Sequence, residues 1–187
     1  MIEVTNAITK EQIDEDFLKF AKVRPSAKIP TKNIENAGFD IYADFSEDYI
    51  FIPPLSTKLI PTGIASAMSS DLYLQVEERG STGSKGIKKS AGIIDSSYRG
   101  EIFVAITNAN NNDLYIYNGE LEKAIKRIEE DEYLYEIDSI FYPASKAIAQ
   151  LILHRVHNEV PVSEISFEEL KNIPSSRGEG KLGSSGK

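Results

Sequence analysis

The sequence contains no cysteine and only two histidines in 187 residues. Disulfides, thiolate nucleophiles, thiolate zinc sites and iron–sulfur clusters are thereby excluded. A histidine-rich metal site would have too few ligands. No apolar run approaches the roughly 18 residues that a membrane span needs. The opening MIEVTNAITKEQ has no basic stretch followed by an apolar one, so no signal peptide is expected. These absences point to a soluble, cytoplasmic protein with no membrane partner. Basic charge is also short: 21 Lys and Arg face 29 Asp and Glu, a net charge of −8. That balance argues against nucleic-acid binding, which depends on neutralising phosphates. HExxH, GxSxG and GxGxxG are missing, which removes support for zincins, nucleophile-elbow hydrolases and Rossmann dehydrogenases. No Walker A loop is present either, because Gly80 is followed five residues later by Lys85 and not by Gly-Lys-Ser/Thr.

The length suits one domain with a short appendage. Thr9 and Gln12 have capping-box spacing and predict a short N-terminal helix to about Asp16. Residues 17–23 fit either its continuation or a strand, and Arg24-Pro25 ends both. From there the texture is β. Short stretches at 39–43, 49–52, 56–60, 72–76 and 101–108 are rich in β-branched and aromatic residues, and Gly, Pro, Asn and Asp punctuate them. Such spacing predicts a mainly β sandwich or barrel. Residues 109–119 carry four Asn and a Gly and read as a turn. Leu121, Ala124, Ile125 and Ile128 lie at i, i+3, i+4 and i+7, which predicts an amphipathic helix over 121–132. It is acidic: residues 119–138 hold eight acids and three bases. Residues 147–156 read as a strand. The tail SSRGEGKLGSSGK is too polar to bury a core; it reads as a natural mobile arm or, in part, as a cloning scar. No internal repeat is found.

Charge is unevenly spread. Residues 79–99 hold Arg79, Lys85, Lys88, Lys89 and Arg99 against the single acid Asp95, so this island carries +4 and the remainder −12. A basic, Gly-rich island in an acidic chain suits a small polyanion. Gly80, Ser81, Thr82 and Gly83 permit close backbone approach, and successive N–H groups can cradle a phosphate. A solvated hairpin decorated with lysines explains the island equally well. Asp95, just past an apolar strand end and among bases, has the makings of a general base; an Asp that starts a turn is the blander reading. His154 and His157 would face opposite sides of a strand, so joint metal binding is not expected.

Five segments in one order resemble the trimeric dUTPase family. They are Ala37-Gly38-Phe39-Asp40-Ile41, Arg79-Gly80-Ser81-Thr82-Gly83, Ala91-Gly92-Ile93-Ile94-Asp95 through Tyr98-Arg99-Gly100-Glu101, Ile148-Ala149-Gln150-Leu151-Ile152, and Arg177-Gly178 through Gly183-Ser184-Ser185-Gly186. The third is the most specific, and the resemblance runs from about Leu18 to the C-terminus. It implies a distorted jelly-roll β-barrel over residues 17–173, after an N-terminal extension of residues 1–16. It implies a flexible arm over 174–187, and a homotrimer with sites between subunits. It implies hydrolysis of dUTP to dUMP and pyrophosphate with Mg²⁺.

By position, the resemblance makes Asp95 the base that activates water for attack on the α-phosphorus. Arg79 and Ser81 would hold phosphate oxygens beside Gly80. Asp40 would support the metal through water. The backbone from Gly92 to Ile93 and Ile94 would read the uracil edge, and Tyr98 would pack under the deoxyribose. Gln150 would reach a phosphate from a neighbouring subunit, and Arg177 would clamp the γ-phosphate. Leu182, Gly183, Ser184 and Ser185 would close the lid.

Three positions depart from the family pattern. Gly80 stands where Ser is usual, Ala147 where an Arg often precedes the fourth segment, and Leu182 where Phe stacks on uracil. Lys146 is expected on the opposite strand face from Ala147. The segment 109–145, with its acidic helix, is a longer connection than most members carry. It is either a tolerated surface insertion or, as in some phage-type relatives, a docking surface for another protein. Two rivals stand beside the hydrolase. A dCTP deaminase of the same superfamily would want a Glu base and a differently spaced Arg pair. A catalytically reduced, regulatory homologue draws support from the three departures, against an intact Asp95, Tyr98, Gln150 and Arg177.

Overall fold

The computed structural model describes residues 16–131, 138–176 and 178. The expected N-terminal helix lies almost wholly outside these residues, as do Arg177, Leu182, Gly183, Ser184 and Ser185. The chain falls into two compact units, the first ending at Val156 and the second beginning at His157.

The first unit is built from twelve described strands: β1 Leu18–Lys22, β2 Gly38–Tyr42, β3 Tyr49–Ile52, β4 Thr57–Pro61, β5 Ile64–Met68, β6 Leu72–Glu77, β7 Ile87–Lys89, β8 Ile93–Asp95, β9 Phe103–Asn108, β10 Leu114–Tyr117, β11 Ile140–Pro143 and β12 Ala147–Arg155. Two helices interrupt them, the single turn α1 Gly80–Gly83 and α2 Leu121–Glu130. The strands form four small sheets, ordered β2-β12-β6-β8, β4-β9-β7, β11-β10-β3 and β1-β5. The arrangement is jelly-roll-like; among the described residues the sheets do not close into one continuous barrel.

Alternation fixes which face is buried. In β6, Leu72, Leu74 and Val76 are buried, while Tyr73, Gln75 and Glu77 lie on the half-exposed side. The inner side chains join Ile41, Ile52, Ile60, Ile64, Ile106, Leu114 and Leu151 in one core. Strand β12 is the spine, paired antiparallel to β2 on one side and β6 on the other.

Of the two alternatives open for residues 17–23, the strand is the one that forms, as β1 paired with β5. Several expectations need correction. Strand β5 was not anticipated: its Ala65, Ser66 and Ala67 carry no β signal of their own and are held by pairing with β1. The turn expected over 109–119 ends early, because Leu114–Tyr117 is a buried strand. The turn itself is fixed by Asn108, whose buried amide donates to the carbonyls of Ile52 at 3.1 Å and Asn112 at 2.8 Å. Lys146 precedes β12 in a turn, its N–H donating to the Pro143 carbonyl, so the two-face argument does not apply to it.

The insertion packs against its own chain. Helix α2 buries Ala124 and Ile128, and Asp131 at its C-cap accepts the Tyr49 hydroxyl at 2.9 Å. The second unit carries α3 Phe167–Lys171, whose Ser166 hydroxyl accepts the Glu169 N–H while the Glu169 carboxylate accepts the Ser166 N–H. Among the described residues no helix is long and apolar enough to cross a membrane.

Candidate functional site

One cleft forms where β2, β12 and the end of β6 meet. Register places Asp40 opposite Gln150, and Gln150 opposite Glu77, so all three point to the same outer face. Arg79 follows β6 after Glu78 and is the N-cap of α1. Its N–H donates to Thr82 Oγ1 at 3.1 Å, and that buried hydroxyl donates back to the Arg79 carbonyl at 3.0 Å. The Gly-rich stretch is therefore a helical turn pinned by Thr82, not the decorated hairpin of the blander reading. Gly80 and Ser81 stand exposed at its outer side.

The Arg79 guanidinium is held in a bidentate pair with Asp40, with Nε to Oδ1 at 2.8 Å and Nη2 to Oδ2 at 3.3 Å. Nη1 donates to Ser81 Oγ at 3.2 Å. Gln150 is anchored by its amide to the Glu78 carbonyl at 2.8 Å. A Cβ at Gly38 would sit 2.6 Å from Gln150 Oε1, so any side chain there displaces that amide. Asp40, Arg79, Gly80, Ser81, Gln150 and Gly38 share an open cleft of about 540 Å³.

A second cleft, of about 260 Å³, is lined by Gly92, Ile93, Ile94, Asp95, Tyr98 and Phe103. Strand β8 is an edge of its sheet, so one side of its backbone is unpaired within that sheet and can hydrogen-bond a planar ligand. Gly92 is needed there: a Cβ would lie 2.8 Å from the Val76 carbonyl and push β8 away from β6. Asp95 closes the strand on the exposed side, opposite Tyr73. Its backbone carbonyl accepts the Tyr98 N–H at 3.1 Å, so the turn of the blander reading exists and carries the carboxylate with it. The Tyr98 hydroxyl donates to the Glu101 carbonyl at 3.0 Å.

The turn after β8 rests on a network the sequence reading missed. Glu101 accepts both Nη atoms of Arg24, at 2.8 and 2.7 Å, and the N–H groups of Thr62 and Gly63. Arg24 also reaches Asp44 through Nε at 2.9 Å. The Arg24 hydrogen bond holds the Glu101 carboxyl below its usual range against the opposing effect of burial, with the Gly63 N–H assisting. Arg24 had been read only as the residue before a proline.

The island's +4 is thus partly neutralised in place. Arg79 is paired with Asp40, Lys89 with Glu77 at 3.3 Å, and Arg99 folds onto the backbone of its own turn. Asp40, expected to act toward a metal, is committed to Arg79. No group of three or more metal-binding side chains exists among the described residues. His154 stacks on Tyr73, ring centroids 5.0 Å apart, and His157 lies beyond the strand beside Glu159.

The two clefts share no residue. Asp95 and the Asp40–Gln150–Glu77 row are four residues apart along β6, roughly 13 Å at a strand's rise, and β2 and β8 are three strand spacings apart, roughly 14 Å. The first four sequence segments therefore gather into two opposite corners of one sheet within a single chain; the fifth lies outside the described residues but for Gly178.

A protein-family model described as dUTPase matches residues 25–121. The deoxyuridine 5'-triphosphate nucleotidohydrolase of Candida albicans is 31% identical, over 100% of this chain and 99% of its own length. That of Clostridioides difficile is 31% identical, over 90% and 97%. Among solved structures, the Staphylococcus bacteriophage 80alpha dUTPase with dUpNHpp aligns with TM-score 0.66 at 23% identity, covering 91% of this chain and 99% of that one. The dUTPase from phage phi11 of S. aureus, described as showing a species-specific insert, aligns with TM-score 0.59 at 17% identity, over 81% and 98%. At these identities the structural likeness bears on the fold.

Proposed function

The chain belongs to the dUTPase family, and from that premise we propose that it hydrolyses dUTP to dUMP and pyrophosphate, as a homotrimer in the cytoplasm. Asp95 accepts a proton from a water whose oxygen bonds to the α-phosphorus. The bond from that phosphorus to the bridging oxygen of the β-phosphate breaks, and pyrophosphate leaves. Little covalent chemistry falls to the protein in such a transfer; positioning and charge stabilisation dominate.

The cleft at β8 takes the nucleoside. The Gly92 carbonyl is taken by the Val76 N–H; the backbone around Ile93 and Ile94, on the free side of this edge strand, offers a donor and an acceptor to uracil, and cytosine presents the reverse pattern. Tyr98, fixed through its hydroxyl to the Glu101 carbonyl, lies under the sugar and leaves no space for a 2′-hydroxyl. The cleft at Arg79 takes phosphate oxygens. Its guanidinium is already oriented by Asp40, so little side-chain freedom is lost on binding. Ser81 and Gln150 add neutral donors.

The single observation that carries this reading is the Asp95 turn, with its edge strand and Tyr98 in one cleft, in a chain of this family. The distance between the two corners supports assembly: one chain cannot bring Asp95 and Arg79 to the same triphosphate, so a complete site draws one corner from each of two subunits. The arm over 174–187, with Arg177, Leu182, Gly183, Ser184 and Ser185, then closes over it as a lid.

The donor set also fits Mg²⁺ carried in by the substrate. Mg²⁺ characteristically binds through one or two carboxylates, water and substrate phosphates; the described residues offer no three-ligand cage, and Asp40 beside Arg79 would act on it through water. When bound, the ion would neutralise charge developing on the phosphates.

The test is pyrophosphate release from dUTP by the wild type and by Asp95→Asn. The variant should bind dUTP yet turn over about 10²–10⁴-fold more slowly. Equal rates would remove the proposed base, and ammonia release from dCTP in place of pyrophosphate would mark a deaminase.

A further inference from the structure

The inserted segment reaches the phosphate cleft through one side chain. Strand β11 runs parallel to β10, with Tyr142 opposite Ile116. The Tyr142 ring is buried, with 2% of its surface exposed. Its hydroxyl donates to the Ala147 carbonyl at 2.8 Å. The same carbonyl accepts Arg79 Nη1 at 3.5 Å, and Nη1 also donates to Ser81 Oγ. Lys85, two residues past α1, sits over the Tyr142 ring at 5.8 Å. Four groups from three parts of the chain thus converge: the phenol from the insertion, the carbonyl from the start of β12, and the guanidinium and hydroxyl from the α1 turn.

Burial pushes the Tyr142 phenol above its usual value, while the Ser81 hydroxyl and the Arg79 charge pull it partly back. It therefore stays protonated at neutral pH and remains a donor. Its hydrogen bond occupies one lone pair of the Ala147 carbonyl and leaves the other for Arg79. Without the phenol, the Ala147 carbonyl still faces Arg79 Nη1 but loses the donor that fixes it from the insertion side.

We propose that Tyr142 is a positioning residue for triphosphate binding, its hydroxyl locking the Ala147 carbonyl that steadies the Arg79–Ser81 pair. The insertion is then part of the working site, since it delivers the strand that props the phosphate-binding turn. This rests on dUTP being the substrate.

Tyr142→Phe removes one oxygen and keeps the ring. KM for dUTP should rise about three- to ten-fold, the range of a single hydrogen bond, while inhibition by dUMP, which engages chiefly the nucleoside cleft, stays at its wild-type value. A double-mutant cycle with Ser81→Ala should be non-additive. An unchanged KM, equal weakening toward dUTP and dUMP, or strict additivity would each overturn the inference. Independently of any variant, a non-hydrolysable dUTP analogue should shift the Tyr142 ring resonance of the wild-type protein and dUMP should not; a resonance unmoved by the analogue also overturns it. If the wild type releases no pyrophosphate from dUTP, the substrate reading and this inference fall together. If it turns dUTP over and Tyr142→Phe is indistinguishable, only the inference falls.

Discussion

Replacing Glu101 by Gln exchanges one carboxylate oxygen for an NH₂ group at the centre of four donors. The remaining amide oxygen can still accept the Thr62 and Gly63 N–H groups. Arg24 Nη2 shares that oxygen at 2.7 Å, so the new NH₂ must then face Arg24 Nη1, donor against donor, where Nη1 now sits 2.8 Å from Oε2. Breaking a fully buried pair costs about 3–5 kcal/mol. Here the Glu101 side chain is 14% exposed but that of Arg24 is 37%, so water and Asp44 recover part of the loss, and about 2 kcal/mol is the reasoned value. For a chain of this length that lowers Tm by about 4–8 °C.

The pH dependence has a definite sign. The folded carboxyl titrates below its ordinary 4.5, so its contribution is complete above that value and fades as pH falls through the folded one. Arg24 stays charged throughout and adds no dependence of its own. Thermal melts of both proteins at fixed concentration from pH 7 downward should show a constant gap to about pH 5 that narrows in acid. Melts that coincide at pH 7, or a gap that persists undiminished in acid, would refute the reasoning.

The other expectations concern separate parts of the chain. Ile128→Ala opens a cavity under α2 where no surface is now exposed, a change costing about 2–5 kcal/mol in other cores. Limited proteolysis should cut the insertion faster while the sheets resist, and a cleavage pattern identical to wild type would contradict the packing described above. On the proposed reading of the C-terminal arm, Leu182→Phe adds an aromatic ring over the base and should lower KM for dUTP about three- to ten-fold, the range of a stacking contact; an unchanged KM would count against that role for position 182.

Much of the site was legible because it is local. Gly92 to Tyr98 forms an edge strand and a turn within a few residues, and the Arg79–Gly83 stretch depends on its own Thr82. What could not be read is where the two stretches lie relative to each other. That depends on the register of β12 against β2 and β6, which pairs residues more than seventy positions apart. The same limit hid the Arg24–Glu101 pair, which spans 77 positions. Strand β5 was hidden because small residues leave pairing to decide the conformation, and β10 because the Asn run before it dominates the local signal. Helix α3 was readable in principle: Ser166 and Glu169 have the spacing used to predict a helix at Thr9, and the structure uses both halves of that box. Tyr142 gave no local sign, since its importance comes from burial beside Arg79.

The placing of two half-sites at opposite corners of one sheet has a consequence for how such a chain behaves in a population. On the proposed reading, no chain owns a complete site, so association itself becomes the switch: dilution that separates the subunits silences all sites together. Ownership is also divided. A chain that has lost its Asp95 corner still lends an intact Arg79 corner to a neighbour, and one defective copy disables one site of an assembly while completing another.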